Sequence, residues 1–259
     1  MDRKKMPVLF IGHGSPLNAI NSNTFTSDLK KISGLLPIPR AVLVISAHWL
    51  TRGTRITSGD CPEQIYDFYG FPEELYRINY SPSGSSEIAF MICDLVKNIS
   101  VVPDNDRGID HAAWAVLRHI FPDGDVPVLE LSLDMNIDPE HHYNNGIALS
   151  ALRENGILIT GSGNIVHNLM IMDYYEGVEP YDWAVEFDEK VKQFLLEDNH
   201  KALIEYNKLG KIAKYAVPTD EHYLPMLYAA ALKQKGETLD FFHESIHHGS
   251  ISMSSFIIN

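Results

Sequence analysis

The stretch Pro7-Val8-Leu9-Phe10-Ile11-Gly12-His13-Gly14-Ser15-Pro16 decides the fold, because an apolar run ends abruptly in a glycine-rich turn. A short, unbroken apolar run is typical of a strand that is buried on both faces of a parallel sheet. Three further runs predict the same kind of strand: Ala41–Ser46, Val126–Leu131 and Gly156–Thr160. These four runs predict the centre of a parallel sheet.

Between these runs, apolar residues recur at three- and four-residue spacing, which predicts helices. The predicted helices are Phe25–Leu36, Ser85–Ile99, Asp110–Phe121, Pro139–Asn155, Trp183–Leu196 and His200–Leu209. Strands that alternate with helices indicate an α/β fold, with a mostly parallel central sheet and helices on both faces. Residues Leu239–Ile258 alternate loosely and predict a C-terminal hairpin at the sheet edge. No linker-like change in composition interrupts residues 1–259, so we expect a single domain.

Composition narrows the classes of function. A formal net charge of −13, with scattered lysines and arginines, argues against a nucleic-acid partner. No run approaches the roughly 20 apolar residues of a membrane helix, so we expect no membrane partner. Cys61 and Cys93 are the two cysteines, too few for a disulfide framework or a cysteine-rich zinc site, and they suggest a reducing cytoplasm. The sequence leaves the oligomeric state open.

The twelve histidines outnumber the cysteines, so a transition metal would bind through nitrogen and oxygen, which suits zinc or non-haem iron. Three histidines follow predicted strands: His13 directly, His48 in Ser46-Ala47-His48-Trp49, and His167 a few residues after Thr160. Ligands collect beyond the carboxyl ends of parallel strands. A single histidine is more often structural, but three at strand ends favour one shared site.

His111 and His222 each occupy the first turn of a predicted helix, where a side chain can face a cleft or solvent. Asp110 is interpreted as the N-cap of the helix that carries His111. His141 and His142 are interpreted as an exposed helix start, and His119 and His200 are assigned surface or structural roles. His243, His247 and His248 are interpreted as solvated strand residues of the hairpin, with a metal cluster kept as a reserve hypothesis.

Two motifs resemble a phosphate-binding loop and a nucleophile elbow, but each lacks residues that such a site requires. Gly161-Ser162-Gly163 follows a strand as a phosphate-binding loop does, but the full dinucleotide pattern and the P-loop lysine are missing. Gly14-Ser15-Pro16 places a serine beside His13, but its spacing does not match a nucleophile elbow. Neither a nucleotide cofactor nor a serine hydrolase is therefore expected.

Five histidine-containing motifs together resemble the class III extradiol ring-cleavage dioxygenases, the LigB-like family, and within it the 4,5-DOPA extradiol dioxygenase branch. The resemblance spans residue 7 to about residue 230, with the motifs in the family's order. The motifs are Gly12-His13-Gly14-Ser15-Pro16, Ser46-Ala47-His48-Trp49, Asp110-His111-Ala112-Ala113-Trp114, Val166-His167-Asn168-Leu169 and Glu221-His222-Tyr223-Leu224-Pro225. Ala112 stands where the family usually has glycine.

The resemblance implies an iron(II) enzyme that opens a catechol ring beside its two hydroxyls with O₂. His13, His48 and His222 would then be metal ligands, while Glu221 leaves the identity of the third ligand open. His167 would be the acid/base, or a fourth ligand in a zinc-filled form. His111 would face substrate and oxygen and stabilise developing negative charge by donating a hydrogen bond.

The substrate expected from the resemblance is a small catechol such as L-DOPA. Aromatic residues of the segment Tyr66-Asp67-Phe68-Tyr69-Gly70-Phe71-Pro72 either wall the pocket or form an ordinary hydrophobic loop. Two alternatives stay open at this point: a zinc hydrolase that uses the same histidines, and a non-catalytic binding protein that has lost its metal.

Overall fold

Apolar side chains cover both faces of the central strands, and this places those strands in the middle of the sheet. The computed structural model describes residues 5–175 and 177–259. The strands in that part of the chain are β1 (Val8–Gly12), β2 (Ala41–Thr51), β3 (Thr54–Thr57), β4 (Val101–Asp104), β5 (Val128–Asp134), β6 (Ile157–Gly163), β7 (Leu239–His243), β8 (Ile246–His247), β9 (Ile251–Ser252) and β10 (Ser255–Ile258).

Eight strands form one sheet in the order β4-β3-β5-β2-β6-β1-β10-β7. Its centre is parallel, because β2 pairs in parallel with β5 and β6, and β6 pairs in parallel with β1. The antiparallel pair β10 and β7 completes one edge, which confirms the predicted C-terminal hairpin. The short strands β8 and β9 form a separate two-stranded sheet within that segment.

Helices pack on both faces of this sheet. They are α1 (Thr24–Ser33), α2 (Ser86–Leu95), α3 (His111–Ile120), α4 (Pro139–Ala148), α5 (Ser150–Glu154), α6 (Asp182–Leu196), α7 (His200–Ile204), α8 (Lys211–Ala216) and α9 (Leu224–Ala231). Successive residues of β1 point to opposite faces of the sheet and pack into two separate cores. Phe10 packs into the core with α2, α6 and α9, whereas Leu9 packs into the core with α1 and α3. The predicted α/β fold with helices on both faces is therefore confirmed.

Several boundaries differ from the sequence prediction. Strand β2 continues to Thr51, so His48 lies inside the strand and not after it. Its pairing with β6 ends at Ser46, and its pairing with β5 is irregular between Ile45 and Leu50. The polar residues of this segment hid its extended conformation from a search for apolar runs.

Two short strands and one helix were missed by the sequence prediction. Strand β3 carries Arg55 and strand β4 contains Pro103, so neither gives an apolar run. Helix α8 has only six residues. The predicted helix Pro139–Asn155 is divided at Leu149 into α4 and α5. Within the described ranges, no helix combines the length and apolar character that crossing a lipid bilayer requires.

Candidate metal centre

Five histidines from separate segments meet at the carboxyl edge of the parallel strands. His13 follows β1, His48 lies near the end of β2, His111 begins α3, His167 follows β6, and His222 precedes α9. The ring centroids of His13, His48 and His222 are 5.0–5.4 Å apart. The edge of the sheet thus brings together all five site residues predicted from the sequence.

Nε2 of His13 lies 3.3 Å from Nε2 of His48. The Ser162 hydroxyl donates to the Ala112 carbonyl, so its oxygen accepts a hydrogen bond from Nδ1 of His13, 3.1 Å away. The Asp67 carboxylate lies 3.2 Å from Nδ1 of His48 and acts as an acceptor there. Both rings are therefore oriented with Nε2 toward the same point.

Asp67 connects two of the histidines, and sequence reasoning missed it. One carboxylate oxygen accepts hydrogen bonds from Nδ1 and from the backbone N–H of His111, at 2.9 and 3.1 Å, and the other faces His48. Burial opposes ionisation of Asp67, but its bonds to His111 and His48 hold its pKa below the ordinary value. The only signal in the sequence was a single acidic residue inside an aromatic segment.

The environment gives these imidazoles different affinities for protons. Burial and the neighbouring histidines lower the pKa of His13 well below its ordinary value. Burial also lowers the pKa of His111, although its hydrogen bond to Asp67 opposes this. For His48, burial acts in the same direction, but Asp67 and the more distant carboxylates outweigh it and raise the pKa. A cation between His13 and His48 thus competes with a proton.

His167 and His222 form a second half of the cluster. Their rings are stacked, with centroids 3.5 Å apart and planes 8° from parallel. Burial and neighbouring histidines lower the pKa of both rings, that of His167 to about 4. Nδ1 of His222 is buried without a hydrogen-bond partner in the described part of the chain, 3.4 Å from the Glu221 carboxylate.

Glycine residues at the end of β6 allow the segment carrying His222 to come this close. A Cβ atom at Gly163 would lie 2.1 Å from the His222 carbonyl oxygen, and one at Gly161 would lie 2.3 Å from the Pro225 carbonyl oxygen. The backbone N–H of Asn164 donates to that His222 carbonyl. The Gly161-Ser162-Gly163 motif therefore serves close backbone packing, while its serine orients His13.

A buried polar network lies behind the cluster and ties β2 to α3. Asp110 caps α3, as predicted, but both of its carboxylate oxygens also accept from the Ser46 hydroxyl, at 2.9 and 2.8 Å. Ser46 in turn accepts from the backbone N–H of His48, and Arg107 donates to Asp110. The segments that carry His48 and His111 are thus joined through one fully buried carboxylate.

The donor set fits a transition-metal ion. His13, His48 and His222 each offer a nitrogen, and these nitrogens lie within 4.8 Å of one another. The Asp67 carboxylate also contacts Nδ1 of both His48 and His111, and such a carboxylate usually fixes the orientation of a metal-bound imidazole. Three imidazoles without a closed fourth protein ligand are typical of a metal site that keeps positions open for a substrate.

The structural roles assigned to some other histidines need correction. His142 is buried, not exposed, and its Nδ1 lies 3.1 Å from the Tyr228 hydroxyl. His243 is also buried, contrary to the expected solvated strand residue, and its ring lies between Asp28 and Ser245. His141 is exposed, as predicted. Apolar neighbours from distant segments of the chain bury the side chains of His142 and His243.

The aromatic segment after Tyr66 lies partly against the cluster. Phe68 packs edge-on against His111, with centroids 5.6 Å apart, and also contacts Trp114. Trp114 donates its indole N–H to the Ile65 carbonyl, which anchors the start of the segment. Tyr69 is 92% exposed and does not line the histidine cluster. Phe68 therefore shields one side of His111 from water.

Replacing Asp67 by asparagine should weaken both metal retention and turnover, because an amide cannot act as an anionic acceptor for two imidazoles. We expect a loss of about 10- to 100-fold in metal affinity or activity. Metal analysis after dialysis and oxygen uptake measure the two effects. The matched control is Glu74→Gln, an exposed carboxylate in the same region. Unchanged metal affinity and turnover in Asp67→Asn would contradict this role.

The chain is similar to several known proteins along most of its length. Residues 12–256 match the family described as the catalytic LigB subunit of aromatic ring-opening dioxygenase. A crystal structure of an uncharacterized Escherichia coli K12 protein superposes with a TM-score of 0.86 at 36% identity, covering 98% of this chain and 100% of that one.

Two relatives are named 4,5-DOPA dioxygenase extradiol. The Escherichia coli K12 relative is 39% identical over 98% of this chain and 95% of its own length. The Beta vulgaris relative is 36% identical over 95% of this chain and 94% of its own length. The chain therefore belongs to the LigB family of aromatic ring-opening dioxygenases and is an enzyme of its extradiol ring-cleaving class.

Proposed function

We propose that this enzyme depends on iron(II) and uses O₂ to open the ring of a small catechol such as L-DOPA. The observation that carries the proposal is the 3.3 Å separation between Nε2 of His13 and Nε2 of His48, with both Nδ1 atoms engaged elsewhere. His222 would complete three imidazole ligands. Such a set suits non-haem iron(II), and zinc can occupy the same nitrogens.

The proposed substrate class follows from two relatives, both named 4,5-DOPA dioxygenase extradiol. A catechol offers two adjacent oxygens to a metal with open positions. A bound iron(II) ion would supply the Lewis-acid and electron-transfer chemistry that lets a catechol react with O₂. The protein's part is then to orient the catechol, exclude water and move its protons.

His167 is the proposed proton acceptor. A catechol bound through both oxygens releases two protons, and a neutral imidazole beside it can take one. Burial and neighbouring histidines lower the pKa of His167 to about 4, so this ring is neutral near pH 7. Its stacking on His222 would keep the ring beside the metal ligands.

The hydrogen bonding of His111 changes the role expected for it. Its Nδ1–H is committed to the ionised Asp67 carboxylate, so neutral His111 has a lone pair on Nε2 and cannot donate from that nitrogen. We propose that His111 first accepts the second substrate proton. The resulting imidazolium, stabilised by Asp67, then donates a hydrogen bond to the oxygen that develops negative charge.

The activity is tested by oxygen uptake when iron(II)-loaded protein meets catechols in air. We expect oxygen consumption together with a yellow ring-opened product, lost in His13→Ala because one of the three proposed ligands is missing. The matched control His141→Gln removes an exposed histidine outside the cluster. No oxygen uptake across a panel of catechols would contradict the proposal, and zinc-dependent ester hydrolysis that needs His13 would replace it.

His167→Gln should retain iron and lose turnover, because glutamine keeps polarity but cannot take a proton. The expected loss in kcat is about 10²- to 10⁴-fold, the usual contribution of general acid–base catalysis. Iron content and single-turnover rates are measured on the same preparations. If the variant also loses its metal, His167 is a ligand; if it turns over normally, the acid/base assignment is wrong.

A further inference from the structure

A cavity of about 460 Å³ shares Glu221 with the histidine cluster, and we call it the side cavity. Its walls combine apolar side chains with carboxylates. The side chains that define it are those of Leu133, Val217, Leu224, Asp134, Asp220 and Glu221. Cavities with apolar walls and a few convergent polar groups are typical of small-molecule sites.

The side cavity and the candidate metal centre have Glu221 in common. The Glu221 carboxylate lies within 4.8 Å of nitrogens of both His167 and His222. Nδ1 of His222, a residue only 6% exposed, has no hydrogen-bond partner in the described part of the chain and lies 3.4 Å from that carboxylate. Leu50, which also lines the cavity, follows His48 by two residues in β2.

No lysine or arginine in the described part of the chain lines the side cavity to balance its negative charge. Asp134, Asp220 and Glu221 face the cavity. Burial lowers the pKa of His142 to about 4, so that imidazole is uncharged near pH 7. Burial and the two neighbouring carboxylates raise the pKa of Tyr206 to about 12, so its phenol is also neutral.

We propose that the side cavity binds the ammonium group of a substituted catechol, whose connecting methylenes lie along the apolar wall. The enzyme then prefers catechols with a primary amine on the side chain over those with only a carboxylate. An ammonium pairs with the carboxylates of Asp134, Asp220 and Glu221, whereas a carboxylate entering the same cavity meets like charge and no cationic side chain among the described lining residues. This inference rests on the proposed function and specifies its substrate class.

The test compares dopamine with 3-(3,4-dihydroxyphenyl)propionate, whose side chain also has two methylenes, using the iron(II)-loaded protein. We expect kcat/KM for dopamine to exceed that for the propionate by about tenfold or more, the equivalent of about 1.4 kcal/mol. 4-Methylcatechol, which has no charged group, should fall between them. Equal kcat/KM values for the two charged substrates, or a preference for the propionate, would overturn the proposal.

Asp220→Asn separates this proposal from a general effect on the active site. The backbone carbonyl of Asp220, not its side chain, accepts from Tyr223 and Leu224, so the local turn should persist. We expect the ratio of kcat/KM for dopamine to that for the propionate to fall about three- to tenfold. Asp94→Asn, an exposed carboxylate on α2, should leave the ratio unchanged. A ratio unaffected by Asp220→Asn would overturn the proposal.

If the enzyme opens no catechol, the proposed function is contradicted, but the inference about the side cavity is not. A binding measurement then tests that inference. Calorimetry then compares 2-phenylethylamine with 3-phenylpropionate on the same full-length protein. We expect the amine to bind at least about fivefold more tightly in the wild type, with this advantage reduced in Asp220→Asn. Equal binding of the two probes would overturn the inference whatever the catalytic result.

Discussion

Two imidazole nitrogens directed at one point, 3.3 Å apart, form the constraint on which the candidate site depends. Such an arrangement is unfavourable unless a proton or a metal ion lies between the nitrogens. Ser162 and Asp67 impose it by engaging the opposite nitrogen of each ring. The arrangement therefore explains why so many buried polar groups surround five histidines at one edge of an apolar sheet.

The fold supplies this arrangement through its strand order. Because β1, β6 and β2 are adjacent and parallel, their carboxyl ends deliver His13, Ser162 and His48 to neighbouring positions. The glycines of β6 then admit the backbone of the segment that carries His222. Asp110 joins β2 to α3 behind the histidines, so the segments that carry His48 and His111 are held together by buried hydrogen bonds.

Much of this could be predicted from the sequence, because apolar runs and strand-end histidines are local signals. The parallel centre of the sheet, the C-terminal hairpin and the convergence of the five histidines follow from them. Asp67 could not be identified, since its function depends on two histidines far away in the chain. The burial of His142 and His243 was missed for the same reason.

X-ray absorption spectroscopy of the iron(II)-loaded protein tests the central claim most directly. The three-histidine site predicts imidazole scattering from three nitrogen ligands, with one imidazole lost in His48→Ala and all three retained when a catechol is added. A spectrum with no more than one imidazole on iron, or one that is unchanged by His48→Ala, would show that the metal binds elsewhere and would contradict this account.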